Sequence, residues 1–371
     1  MCAGGCGASV GQVRVGLRPE IAERLFFARE RQSVCMSLNG QSPVKAGPLS
    51  EFAPFRIEPR FVERVWGFAD LHPWYDQVAG GAPLGEVWLT GDECLVATGP
   101  HAGKTLGNLF AEAPQALLSA GAPDGGSPLL IKMLFAKEKL SVQVHPDDKL
   151  AQKYGDPRGK TECWYALAAE PGAKVACGLK PGVTIEQVRE EIAAETLEES
   201  LTILDVQPEE MIFVDAGTVH AIWPGSILLE TQQNCDLTYR LYDYGRGREL
   251  HIEKGLEATK LVTKAGKVEP VETEPGRTTL LSADYFLIER VKVDGSRSGA
   301  SLRGTDEPER GLQYLFAAKG MGRISGDSFE AVELARGGIA AVPAASLEFL
   351  VEDLGELELI RITPRWPETK A

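Results

Sequence analysis

Leu140-Ser141-Val142-Gln143-Val144-His145 is the stretch on which the reading of this chain turns. Side chains alternate faces along a strand, so Ser141, Gln143 and His145 share one side, with Val142 and Val144 on the other. In a small β-barrel the valines pack under a covering layer and the three polar groups point inward. A buried polar group costs about 1–3 kcal/mol unless it is bonded. Three on one inner face therefore invite a ligand, a metal or water. An edge strand with its polar face in solvent is the plain alternative, because polar-out alternation is common in antiparallel sheets.

Working outward, Pro128 to His145 reads as two short strands joined around Lys137-Glu138-Lys139, the first of them apolar from Leu129 to Phe135 with Lys132 inside it. Downstream, Gly159-Lys160-Thr161-Glu162-Cys163-Trp164-Tyr165 again alternates and puts Lys160, Glu162 and Trp164 on one face. A salt-bridged surface strand accounts for it; so does a carboxylate ligand beside a cation aimed at an anionic substrate. Asp215-Ala216-Gly217-Thr218-Val219-His220-Ala221 adds a second histidine just past a small-residue turn. Two histidines, a glutamate and the Gln143 amide oxygen form a mixed nitrogen and oxygen set suited to zinc or another divalent transition metal. Glu230 to Tyr242 reads as one more alternating strand, with Asp236, Thr238, Arg240 and Tyr242 opposite Leu237, Tyr239 and Leu241. An arginine inside a barrel cannot shed its charge and needs an anion. Asp236 would supply one structurally, and a phosphorylated or enediolate substrate would supply one functionally.

Around this centre the chain reads as mainly β, with a few covering helices. Thr105 to Ala120 has helical spacing, and Thr184 to Leu201 has it too, with Thr184 as N-cap and Gln187 three residues on. Glu210 to His220 resembles Gly338 to Glu348, each an apolar strand, a small-residue turn and another strand start, with Gly320-Met321-Gly322 as a turn before the second copy. This repeat predicts two small antiparallel barrels in tandem. Glu348 stands where the first copy has His220, so the second barrel would lack the metal chemistry. The predicted division is an N-terminal extension of little structure at 1–50, a metal-binding catalytic domain with helical insertions at 51–265, and a second, metal-free β domain at 266–371. The polar stretch Thr263 to Arg277 marks the boundary.

The 371 residues carry 53 acids against 39 bases, a formal charge of −14, and no long Lys/Arg cluster. Nucleic acid is thereby disfavoured as a partner, while a few inward cations still allow a small anionic substrate. No apolar run approaches the roughly 20 residues that span a bilayer, so no membrane partner is expected. Cys2, Cys6, Cys35, Cys94, Cys163, Cys177 and Cys235 are odd in number and lack metal-ligand spacing, which reads as a reduced cytoplasmic protein. The first thirty-five residues lack a secretory apolar core, and the chain would function from Met36 without them. Oligomeric state leaves no mark in the sequence.

Four blocks in register carry a resemblance: Leu140 to Asp148, Gly159 to Tyr165, Asp215 to Ala221, and Leu237 to Arg246. Their order and spacing resemble the mannose-6-phosphate isomerase family in its shorter bacterial form, from about Phe55 to the C-terminus. The resemblance implies tandem cupin-like, jelly-roll barrels and a zinc ion held by Gln143, His145, Glu162 and His220. It implies that Arg240 is the catalytic arginine, that Lys132, Ser141 and Lys160 line the sugar-phosphate pocket, and that Glu230 and Asp236 are acids near the arginine and candidates for the general base. Glu86-Val87-Trp88 departs slightly from the family, which often has a small polar residue between Glu and Trp. The implied reaction interconverts mannose 6-phosphate and fructose 6-phosphate through a cis-enediol. A cupin oxygenase using ferrous iron and a non-catalytic sugar-binding cupin are the alternatives, and Lys132 and Lys160 suit a phosphate better than oxygen chemistry.

Overall fold

Alternating apolar and polar residues, broken by turn formers, make antiparallel strands in three sheets the main regular structure of the described residues. The computed structural model describes residues 51–118, 126–302, 311–346 and 348–367, all within the compact unit Ala46–Ala371. The extension expected at 1–50, with Cys2, Cys6 and Cys35, lies outside the described residues.

The first sheet has seven strands, in the order Gly266–Val268, Met211–Val214, Glu162–Ala169, Ser226–Gln233, Leu129–Ala136, Leu84–Trp88 and Arg60–Phe68. The second has five, in the order Tyr239–Tyr242, Val142–Val144, His220–Ile222, Lys174–Leu179 and Leu201–Asp205. The third has nine and is built mostly from the C-terminal third, around the long strands Gln313–Ser325 and Leu350–Pro364. Among the described residues no sheet closes into a barrel; the architecture is mainly β, with open antiparallel sheets packed face to face.

Four apolar layers hold the stack together. Trp66, Leu134, Trp164, Ile212, Ile222 and Leu228 are buried between the first and second sheets. On the outer face of the second sheet, Val142, Val144, Tyr239 and Leu241 pack with Val188 and Ile192 of the helix Ile185–Ala194 and Leu256 of the helix Ile252–Ala258. Alternation gives the first sheet a second apolar face: Ile131, Met133, Cys163 and Tyr165 meet Ile288, Tyr314, Phe316 and Ile360 of the third sheet. The third sheet's far side is closed by Leu315, Ala317, Phe349 and Leu359. Each buried Leu, Ile or Phe contributes about 1.5–3 kcal/mol.

Several elements differ from the sequence expectation. Glu230 to Tyr242 is not one strand. Ser226–Gln233 lies in the first sheet and Tyr239–Tyr242 in the second. Between them Asn234, Cys235 and Asp236 make the crossing, braced where Gln232 Nε2 donates to the Cys235 carbonyl; Asn and Asp favour such turns. Gly320-Met321-Gly322 is not a turn but the middle of Gln313–Ser325, where the register against Leu350–Pro364 shifts and Gly320 takes φ +69°. The helix after Thr184 stops at Ala194, because Glu195 turns left-handed at φ 62° and a short 3₁₀ turn follows. Thr184 does cap it, accepting from Gln187 N at 3.2 Å. The polar stretch Thr263 to Arg277 contains the strands Gly266–Val268 and Val271–Glu274. Phe55–Arg56 pairs with Ile339–Val342 in the third sheet.

Candidate active site

Strand register brings the chemistry together in two facing rows. Across the first sheet Glu230 stands beside Lys132 on one side and Trp164 on the other, and Gln232 beside Glu162. Across the second, Gln143 lies between His220 and Arg240. Lys132, Glu162 and Glu230 thus come from one sheet, and Gln143, His220 and Arg240 from its partner. The alternation that put Ser141, Gln143 and His145 on one face is what aims them between the layers.

His145, Glu162 and His220 form a buried triad whose ligand atoms lie within 4.8 Å of one another. Glu162 Oε2 is 3.6 Å from His145 Nε2, and Oε1 is 3.4 Å from His220 Nε2. Both Glu162 oxygens and His145 Nε2 are buried without a hydrogen bond, and Glu162 is wholly inaccessible. Lys160 Nζ comes within 3.0 Å of Glu162 Oε2 as an ion pair without hydrogen-bond direction. Such orphaned groups are costly, and a divalent cation would satisfy them together. The imidazoles are already oriented for one. His145 Nδ1 donates to the Leu237 carbonyl at 2.8 Å and His220 Nδ1 to the Thr218 carbonyl at 2.9 Å, which leaves each Nε2 lone pair facing the centre. Burial pushes both imidazole pKa values down, that of His220 to about 4, so both are neutral ligands at neutral pH. Gln143 joins from the side: its Nε2 is 3.2 Å from His220 Nε2, and its Oε1 accepts from Ser141 at 3.1 Å. Ligation through oxygen requires the opposite amide orientation.

Gln143 and Lys160, which contact the triad, also line a cavity of about 460 Å³, whose wall further includes Ser141, Lys132, Glu230 and Asp236 and whose rim includes Arg64, Arg240, Arg248 and His251. This lies in the range of small-molecule sites. Midway, Lys132 Nζ is 3.0 Å from Asp236, 3.2 Å from Glu230 and 3.9 Å from Glu86. Burial works against its ammonium, but these three carboxylates outweigh it and raise the pKa. Burial likewise opposes the Lys160 charge, and Glu162 and Glu230 overcome it. Asp236, suggested by the sequence as a partner for Arg240, pairs with Lys132 instead, because the turn that carries it crosses between the sheets. Burial opposes its charge too, yet Lys132 and Lys160 hold its carboxyl below the usual range.

At the rim the balance reverses. Arg64 is bidentate on Glu86, at 2.9 and 3.0 Å, and Arg248 is bidentate on Asp243. Arg240 donates from Nη1 to the Glu249 carbonyl at 2.9 Å, while its Nε is buried without a hydrogen bond. Burial, followed by Arg248, lowers its pKa; Asp243 opposes this, and Arg246 and Arg64 add to the lowering. An anion in the mouth would relieve that repulsion. Arg64, Glu86, Arg248 and His251 were missed as site residues. Arg64 was findable, two positions before Trp66 on the same strand face. Arg248 was not, since Gly245 to Glu249 has no alternation.

Fold and site together define a β-sheet protein with a metal-competent centre next to the residues of a cation-lined pocket. The profile of the phosphomannose isomerase type I catalytic domain matches residues 55–178. Mannose-6-phosphate isomerase ManA of Bacillus subtilis is 35% identical over 260 residues, 66% of this chain and 81% of that protein. The mannose-6-phosphate isomerase of Streptococcus mutans is 32% identical over 259 residues, 66% of this chain and 80% of that protein. The crystal structure of the Bacillus subtilis mannose 6-phosphate isomerase is 29% identical and superposes with a TM-score of 0.74, covering 84% of this chain and 99% of that one. The chain belongs to the mannose-6-phosphate isomerase family.

Proposed function

We propose that this enzyme interconverts mannose 6-phosphate and fructose 6-phosphate. The observation that supports it most is the buried His145–Glu162–His220 triad, with its orphaned ligand atoms, joined through Gln143 and Lys160 to a pocket that carries arginines. A divalent ion bound there, zinc in this reading, would be held by those three residues and Gln143, and would supply Lewis-acid stabilisation of oxygen charge. The chain's own groups do the rest. Lys132, Ser141 and Lys160 bind the open-chain sugar phosphate, and Arg240 sets a fixed cation against the charge that develops as the enediol forms. Glu230 or Asp236 carries the proton between C2 and C1. Trp164 Nε1, 3.3 Å from Glu230 Oε1, keeps that carboxylate in place. Neither an oxygenase nor a non-catalytic sugar binder is favoured, given the isomerase relatives.

In the same reading the chain divides at about 265/266 into two cupin-like jelly rolls, 51–265 and 266–371, with 1–50 as an extension. The strand-turn-strand likeness of Glu210 to His220 and Gly338 to Glu348 supports this. Free cysteines at 94, 163, 177 and 235 are in keeping with the reducing cytoplasm. A coupled assay on mannose 6-phosphate tests the activity: we expect turnover that a chelator abolishes and added Zn²⁺ restores. Metal-replete protein that leaves mannose 6-phosphate unchanged would overturn the proposal.

A further inference from the structure

Two segments carry the ligands that must meet at the metal centre, and a single carboxylate laces them together. His145 runs into Pro146-Asp147-Asp148, and Gly159-Lys160-Thr161 runs into Glu162. These approaches lie backbone against backbone. Lys160 N donates to the Pro146 carbonyl at 3.0 Å, and a Cβ on Gly159 would fall 2.4 Å from the Asp147 carbonyl carbon. Asp148, first residue of the helix Asp148–Lys153, closes the arrangement. Its Oδ1 accepts from Gly159 N at 2.7 Å and from Gln233 Nε2 at 2.9 Å. Gln233, buried at the end of its first-sheet strand, accepts in turn from Thr161 N at 2.9 Å and donates its own N–H to the Thr161 carbonyl at 3.1 Å. Thr161 stands between Lys160 and Glu162, so its place in the chain fixes theirs. Asp148 Oδ2 accepts from Tyr285 Oη at 2.7 Å, a side chain beside the third sheet.

We propose that Asp148 is a positioning residue for the metal centre, which through Gly159 and Gln233 holds the Lys160–Glu162 arm in register with His145. The carboxylate touches neither the centre nor the cavity. It acts through two backbone N–H groups, one taken directly and one by way of Gln233. Partners behind metal ligands typically matter by 10–100-fold in affinity or activity. Three acceptor bonds on one carboxylate are more than helix capping requires, since Asp147 already fills that role by accepting from Leu150 N at 3.0 Å.

The proposal rests on the metal-centre reading, so the test measures metal affinity first in the unaltered protein. Full-length protein is titrated with Zn²⁺ against a chromogenic chelator, alongside Asp148→Ala, Asp148→Asn and Gln233→Glu. In Asp148→Ala we expect the Zn²⁺ Kd to rise about 10–100-fold, with kcat falling more than KM changes. Asp148→Asn, which keeps an oxygen for Gly159 and Gln233, recovers most of the affinity. Gln233→Glu sets an oxygen against Asp148 while still accepting from Thr161, and should weaken Zn²⁺ binding as the alanine does; it decides the matter if Asp148→Ala fails to fold. Unchanged Kd in Asp148→Ala and Gln233→Glu, with only the Tm of the metal-free protein lowered, would make Asp148 a structural brace and overturn the proposal. Unaltered protein that binds no Zn²⁺ would overturn the metal-centre reading itself.

Discussion

Arg240 and His220 show how one side chain's surroundings set its chemistry. Arg240 is flanked by other arginines and lacks a hydrogen bond at Nε, so it is poised for an anion. Arg240→Ala should lower kcat about 10²–10³-fold, as loss of one preorganised donor does. An unchanged kcat with a raised KM would assign it to phosphate binding instead. His220, buried and neutral with a pKa near 4, is linked to stability with a definite sign. Between the ordinary value of 6.5 and about 4 the unfolded chain binds the extra proton, so stability is full above 6.5 and declines as pH falls toward 4. Urea unfolding of the metal-free protein should show this decline, and His220→Asn should reduce it. A decline of the same size in the variant would show that other groups cause it.

Strand alternation made the site legible, and chain crossings hid part of it. His145 and Glu162 sit on stretches whose period of two was visible, and His220 just past a small-residue turn, which is how these three and Gln143 were named as a candidate set before their strands were placed. Lys132 was visible as a lone charge in an apolar run. The Asp236 partner was misread because period-two counting continues blindly through Asn234-Cys235-Asp236, where the chain changes sheets. Gly320 misled for the opposite reason: a glycine cluster reads as a turn, yet here it serves a register shift in a long strand. Gly67 is a glycine of necessity, because a Cβ there would lie 2.3 Å from the Leu84 carbonyl carbon. Gly67→Ala should therefore destabilise the strand pair by about 1–3 kcal/mol, the usual cost of overpacking, read as a lower urea midpoint. A variant as stable as the parent would show that the strand shifts freely.

For the molecule as a whole, stacking is what converts short, unremarkable strands into a site. The central strands of the first sheet are buried on both faces, by the second sheet on one and by the third on the other, so their polar row is shielded from bulk water and electrostatic contacts there are stronger than at a surface. Described strands run from Phe55 to Pro364. A chain starting at Met36 should keep isomerase activity and Tm; loss of either would give the first thirty-five residues a role. The pairing of Phe55 with Ala341 bears on how the protein comes off the ribosome. The first described strand is made nearly three hundred residues before its partner, leaving an unmatched hydrogen-bonding edge for the interval between them. Nascent chains arrested before Ile339 should thus be the ones that chaperones hold and that clump when chaperones are scarce.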